Sequence, residues 1–134
     1  MSKLTYIELF AGIGGFRQAL DKLGGKCVFA SEIDKFATQA YQTLYGDDHL
    51  YGDITKINEK DIPNHDLIVA GIPCQAFSVA GKRLGFNDTR GTLFFDVARI
   101  AKEKQPKAVI IENVKGLVNH DKGRTLDVMI ETLN

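Results

Sequence analysis

Thr5-Tyr6-Ile7-Glu8-Leu9-Phe10-Ala11-Gly12-Ile13-Gly14-Gly15 is the stretch from which the fold can be read. A run rich in β-formers meets a glycine loop, and apolar positions at Phe16, Ala19, Leu20 and Leu23 then follow helical spacing. The order is strand, glycine loop, helix. Glycines let the backbone turn tightly and approach a ligand closely, and the helix N-terminus offers unpaired N–H groups. The loop departs from the dinucleotide fingerprint G-x-G-x-x-G, because Arg17 stands where the third glycine belongs. A glycine loop by itself fits a tight strand-to-helix turn with no ligand equally well.

Downstream, the pattern repeats. Lys26 to Ser31 reads as a second strand with Cys27 in its core, and Glu32 lies at its end, twenty residues after Gly12. A carboxylate there is placed to accept hydrogen bonds from ribose hydroxyls, or is simply an exposed loop acid. Asp34 caps a helix with apolar positions at Phe36, Ala37, Ala40, Tyr41 and Leu44, and Gly46 ends it. Tyr51-Gly52-Asp53-Ile54 reads as a short third strand entering a loop. Asp53 either meets an amino group of a bound purine or makes an Asx-turn, and spacing favours the turn. Asn58 to Ile62 reads as a brief helical turn.

Asp66 to Ala70 is a buried fourth strand, followed by Gly71-Ile72-Pro73-Cys74-Gln75-Ala76-Phe77-Ser78. Open α/β sheets place ligands at such carboxyl ends. Pro73 stiffens the turn that presents the Cys74 thiol; the alternative is a small cysteine filling a core. The stretch from Gly71 to Arg90 has no clear periodicity. A loop of that length is usually functional, and Gly81 and Gly85 suit a segment that closes over a substrate. Gly91 to Lys104 returns to helical spacing through Leu93, Phe94, Val97, Ala98, Ile100 and Ala101, and Pro106 stops it. Lys107 to Ile111 is a fifth buried strand, delivering Glu112-Asn113-Val114 at its carboxyl end. Thr125 to Leu133 reads as a further amphipathic helix.

The 134 residues suit one domain, and 44% hydrophobic with 25% charged residues places the chain among globular proteins rather than disordered ones. No apolar run reaches membrane-spanning length and no signal-peptide pattern opens the chain, so a cytoplasmic protein is expected. Two cysteines are too few for a disulfide scaffold, and His49, His65 and His120 show no metal-ligand spacing; surface histidines and no metal are expected. Zero formal charge argues against a chain-wide basic surface for nucleic acid. Any such contact must be local, at Lys82, Arg83 and Arg90 or at Lys115, Lys122 and Arg124, although scattered Lys and Arg are more often simply a solvated face.

Five strands alternating with helices predict an α/β fold, a Rossmann-like doubly wound parallel sheet with helices on both faces. Strand order 3-2-1-4-5 makes strands one and four neighbours at the switch point. The glycine loop and the Cys74 loop then face one another across a crevice, with Glu112 entering from the adjacent strand.

Phe10-Ala11-Gly12-Ile13-Gly14-Gly15, Gly71 to Ser78 and Glu112-Asn113-Val114 resemble, in order and spacing, the cofactor loop, the Pro-Cys nucleophile motif and the Glu-Asn-Val motif of the cytosine-C5 DNA methyltransferases. Arg90 to Phe95 and Tyr51 to Ile54 also resemble stretches of bacterial restriction-modification members. The resemblance covers essentially the whole chain. It implies the fold of class I S-adenosylmethionine-dependent methyltransferases, here incomplete, with residues 1–134 as the cofactor-binding and catalytic domain. It implies a covalent nucleophile at Cys74 and a base-holding carboxylate at Glu112. It further implies S-adenosylmethionine held by Phe10, Ala11, Gly12, Gly14 and Gly15, with Glu32 on the ribose and Asp53 on the adenine amino group. Ile33 and Ile54 would flank the ring, and Pro73 and Leu93 the methionine side. Double-stranded DNA is the implied partner, contacted by Gln75, Ser78, Lys82, Arg83 and Arg90 around a flipped-out cytosine.

Family members normally run to more than twice this length, carrying a Gln-x-Arg-x-Arg motif and a target-recognition domain after the Glu-Asn-Val segment. Little activity from the isolated chain is therefore expected, together with a complementary C-terminal chain or self-association through an exposed sheet edge beside strand five. Readings of a different class are a non-catalytic S-adenosylmethionine-binding module and an NAD-dependent oxidoreductase fragment, the latter disfavoured by Arg17. A tRNA cytosine-C5 methyltransferase is a variant of the first.

Overall fold

The structure, a computed structural model, describes residues 3–72, 93–112 and 124–133. Strand β1 (Thr5–Leu9) leads through the glycine loop to helix α1 (Gly15–Lys22), then β2 (Lys26–Ser31) and α2 (Lys35–Tyr45). A two-residue β3 (Leu50–Tyr51) precedes 3-10 turns at Ile54–Lys56 and Glu59–Asp61. Then come β4 (Leu67–Gly71), α3 (Phe94–Lys104), β5 (Ala108–Glu112) and α4 (Arg124–Leu133). The sheet order is β3-β2-β1-β4-β5, with every pairing parallel. This is the expected doubly wound arrangement.

Period-two alternation sorts the side chains of β1 to opposite faces. Ile7 and Leu9 join Phe29, Ile68 and Ala70 in a core closed by Phe94, Val97 and Ile100 of α3 and by Met129 of α4. Tyr6 faces the other way and packs with Cys27, Tyr41 and Val69, against partly buried Phe16 and Leu20 of α1. Cys27 is a core thiol whose titration burial pushes upward. Asp34 accepts the Ala37 N–H at 2.8 Å and caps α2, which Gly46 ends with φ +80°, as its sequence indicates. No described helix is long and apolar enough to cross a membrane.

Several expectations need correction. The third strand does not run to Ile54. It stops at Tyr51, because Asp53 turns its side chain onto Thr55 and starts a 3-10 turn that buries Ile54. Phe36 and Leu44 of α2 and Leu23 after α1 face outward, being 77%, 61% and 83% exposed. Nor is His65 on the surface: it is buried, Nδ1 lies 2.8 Å from the Pro63 carbonyl, and burial lowers its pKa.

Polar contacts replace much of the apolar packing under α1, a helix with no fully buried residue. Glu8, on the same face as Tyr6, is 1% exposed. Its Oε2 accepts the Arg17 backbone N–H at 3.2 Å, in the first turn of α1, where Gly14 supplies no side-chain cap. Its Oε1 accepts the Tyr41 hydroxyl at 3.2 Å. The Arg17 guanidinium bonds Tyr41 and Asp21 and lies 4.8 Å from the Tyr45 ring centre. One buried carboxylate thus ties both helices of this layer to the central strand.

Burial raises the Glu8 pKa from 4.5 to about 7, against the opposing pull of its hydrogen bonds and Arg17. A carboxyl whose folded pKa is raised binds more protons in the native state between those values. Its favourable contribution is complete below about pH 4.5 and is lost as pH rises through about 7. Glu8→Gln keeps the acceptor and removes the ionisation. Between pH 4 and pH 8 the unfolding free energy of the variant, relative to wild type, is expected to swing upward by on the order of 3 kcal/mol. Urea melts across that range check this, and a pH-independent difference would contradict it.

Candidate functional site

Two loops leave neighbouring strands on the same side of the sheet. Leu9 at the end of β1 is level with Ala70 of β4, and Gly71 is level with Glu112 of β5. A Cβ on Gly71 would stand 3.6 Å from both the Phe10 carbonyl oxygen and Glu112 Oε2. The glycine-loop backbone and the Glu112 carboxylate therefore meet over the end of β4.

The glycine loop is bent back across β2. The Ala11 N–H donates to the Ser31 carbonyl at 2.9 Å, and the Gly12 N–H donates to Glu32 Oε1 at 2.7 Å. Glu32 Oε2 accepts the N–H groups of Ile33 at 2.9 Å and Asp34 at 2.8 Å. Three backbone donors fix this carboxylate, so Glu32 fastens the loop as well as facing outward from it. The bend requires left-handed backbone at Phe10, Gly12 and Gly14, with φ of +53°, +60° and +89°. At Phe10, which has a Cβ, that conformation costs on the order of 1–2 kcal/mol.

These elements enclose a cavity of about 280 Å³ lined by Phe10, Gly12, Ser31, Glu32, Ile33, Gly52, Asp53, Ile54, Gly71 and Leu93. Seven of the residues singled out in the sequence meet here: Phe10, Gly12, Glu32, Ile33, Asp53, Ile54 and Leu93. Ser31, Gly52 and Gly71 join them without having carried a chemical signal. Ala11 and Gly14 are instead packed into the fold, and Gly15 opens α1. Both bonds to Asp53, from the Thr55 hydroxyl at 2.7 Å and the Thr55 N–H at 2.9 Å, fall on Oδ1 and lower its pKa. The Asx-turn reading and a cavity-lining position therefore hold together. Two carboxylates, apolar side chains and fixed backbone line one compact hollow, a setting for a nucleoside-like ligand.

Pro73, Cys74, Gln75, Ser78, Lys82, Arg83 and Arg90 lie outside the described residues. Among the described residues, no group of three or more His, Cys, Asp and Glu side chains gathers as a metal site would need.

A Cβ at Gly14 would collide with the Tyr45 ring and stand 3.2 Å from Tyr41, on backbone at φ +89°. At Gly15 nothing lies within 4 Å of an added Cβ. Gly14→Ala is expected to destabilise the chain by roughly 2–3 kcal/mol, from crowding plus left-handed strain. Gly15→Ala should stay within about 1 kcal/mol of wild type. Denaturant midpoints of the two variants check the contrast, and equal losses would contradict the loop geometry.

Comparison with known proteins points one way. The family model for C-5 cytosine-specific DNA methylase matches residues 4–134. The chain is 54% identical over 134 residues to the Type II methyltransferase M.HhaI of Haemophilus parahaemolyticus, covering 100% of this chain and 41% of that protein. It is 60% identical over 133 residues to the Type II methyltransferase M.HpaII of Haemophilus parainfluenzae, covering 98% of this chain and 37% of the relative. The crystal structure of S. pombe Dnmt2 methyltransferase superposes with a TM-score of 0.72 at 24% identity, over 96% of this chain and 42% of that one, a likeness of fold. The chain thus spans about two-fifths of the length of these relatives. With the motif order, the parallel sheet and the cavity at its switch point, this match shows that the chain belongs to the C-5 cytosine-specific DNA methylase family.

Proposed function

We propose that residues 1–134 form the cofactor-binding and catalytic part of a cytosine-C5 DNA methyltransferase whose cofactor is S-adenosylmethionine. The cavity at the switch point carries this reading. Its residues fit the nucleoside end of that group: Glu32 and Asp53 supply acceptors for hydroxyl and amino hydrogens, Ile33 and Ile54 supply apolar surface for a flat ring, and Leu93, on the methionine side, closes the same hollow. A volume of about 280 Å³ is at the small end for ligand pockets, suited to a nucleoside portion. When bound, S-adenosylmethionine supplies an electrophilic methyl group on a positively charged sulfur.

The chain's own residues supply the rest of the chemistry. C5 of cytosine is a weak nucleophile, and addition of the Cys74 thiolate to C6 pushes electron density onto C5. Loss of the C5 proton after substitution, with expulsion of the thiolate, restores the ring and frees the enzyme. Glu112, delivered beside Gly71 at the end of β5, holds the N3 and N4 edge of the base and favours protonation at N3, which makes C6 more electrophilic. Both groups require the base outside the duplex, so DNA is bound with its target cytosine flipped. Gln75, Ser78, Lys82, Arg83 and Arg90 belong to the segment that contacts it.

A complementary chain or a second copy belongs to the same proposal. Ile110 of the edge strand β5, level with the core residue Val69, is 46% exposed. Such apolar surface on a sheet edge suits a covering partner.

Calorimetric titration of the chain with S-adenosylhomocysteine, with NAD as the control, tests the cofactor reading. Single-site binding at micromolar or tighter affinity with no response to NAD is expected. Equal binding of NAD, or no binding by a chain shown to be folded, would contradict it.

A further inference from the structure

The cavity's walls come from parts of the chain that are distant in sequence. Gly52, Asp53 and Ile54 follow β3, whereas Leu93 stands at the start of α3. Arg99, in the middle of α3, connects them. Its Nη2 donates to the Ile54 carbonyl at 2.6 Å, its Nη1 to Glu59 Oε2 at 2.8 Å, and its Nε to Asp96 Oδ1 at 3.0 Å. The Ile54 carbonyl also closes the 3-10 turn, accepting the Ile57 N–H at 3.2 Å. Arg99 therefore grips the turn that carries Asp53 and Ile54, while Asp96 returns the grip to the first turn of α3, where its own N–H bonds the Leu93 carbonyl at 3.1 Å.

We propose that Arg99 is a positioning residue that sets the spacing between the Asp53–Ile54 wall and the Leu93 wall of the cavity, and so the fit of the ligand held between them. It touches no ligand itself and acts through Ile54 and Asp96. The guanidinium suits the task because its rigid planar fork presents donors in three directions at once. A lysine at this position has the charge but cannot span a carbonyl and two carboxylates from one nitrogen. The proposal rests on the cofactor reading for the identity of the ligand, but not for the clamp.

Two measurements on the chain with Arg99→Lys and Arg99→Met keep those parts separate. Hydrogen exchange without ligand reads the clamp: the amides of Thr55, Lys56 and Ile57 are expected to exchange at least tenfold faster in both variants, with β1 and β4 amides unchanged. Titration with S-adenosylhomocysteine and with adenosine reads the wall. Both ligands are expected to weaken by the same factor, about tenfold or more, with lysine giving no recovery. Unchanged protection in the turn, or a uniform rise across the sheet, would overturn the proposal and leave Arg99 a general stabiliser. So would full ligand affinity in the variants. Should Arg99→Met fail to fold, the charge-preserving Arg99→Lys decides alone. A wild-type chain that binds neither ligand contradicts the cofactor reading, while exchange still decides the clamp.

Discussion

The site depends on β1 pairing in parallel with β2 on one side and β4 on the other. From that central strand the chain winds outward in both directions, so the loops after β1 and β4 separate at their carboxyl ends and leave a crevice between them. Every feature assigned to function hangs from this division. The glycine loop leaves β1, Glu32 follows β2, Gly71 ends β4, and Glu112 ends β5 level with it. No single one of these residues is distinctive. Their meeting follows from the handedness of the crossovers and the order in which strands pair.

What holds the crevice open is largely polar. Glu32 takes three backbone N–H groups and pins the glycine loop to the end of β2. Beneath that loop, Glu8 ties the first turn of α1 and the hydroxyl of Tyr41 to β1. On the other face, Arg99 links α3 to the turn after β3. In each case a polar side chain makes directional bonds to backbone groups that apolar packing cannot bond. A loop that must present its backbone to a ligand cannot bury itself in the core, so directional bonds hold it in place.

The regular parts of the fold were legible because local chemistry and tertiary structure agree. Apolar runs became strands, buried in β1 and β4 as expected, whereas β5, expected buried, is half exposed at the sheet edge. Asp34 and Gly46 bounded α2, and strands alternating with helices implied the observed sheet order, although 3-10 turns stand between β3 and β4. Legibility failed where a side chain's partner is distant in sequence. Helical spacing put Phe36 and Leu44 inward, but α2 faces the sheet through Tyr41, whose hydroxyl donates to Glu8, and leaves those two residues exposed. The Asx-turn at Asp53 was legible from local spacing, but not that it ends β3 at Tyr51 or that Arg99, far along the chain, holds the Ile54 carbonyl of that turn. His65 looked like loop punctuation, yet it is buried, with Nδ1 2.8 Å from the Pro63 carbonyl and Nε2 without a hydrogen-bond partner among the described residues. The candidate cofactor residues were legible as motifs; Gly52 and Gly71 lay inside quoted motif stretches but were not singled out, and Ser31 carried no signal, because these three take part through position and backbone rather than side-chain chemistry.

Amide chemical shifts of the isotopically labelled chain, followed while S-adenosylhomocysteine is added, test most directly whether the switch-point crevice is the cofactor site. The account predicts saturable shifts at Phe10 to Gly15, Glu32 to Asp34 and Gly52 to Ile54, with α4 and the amino ends of the strands unmoved. Saturable shifts confined to another surface, or none in those three segments, would contradict it.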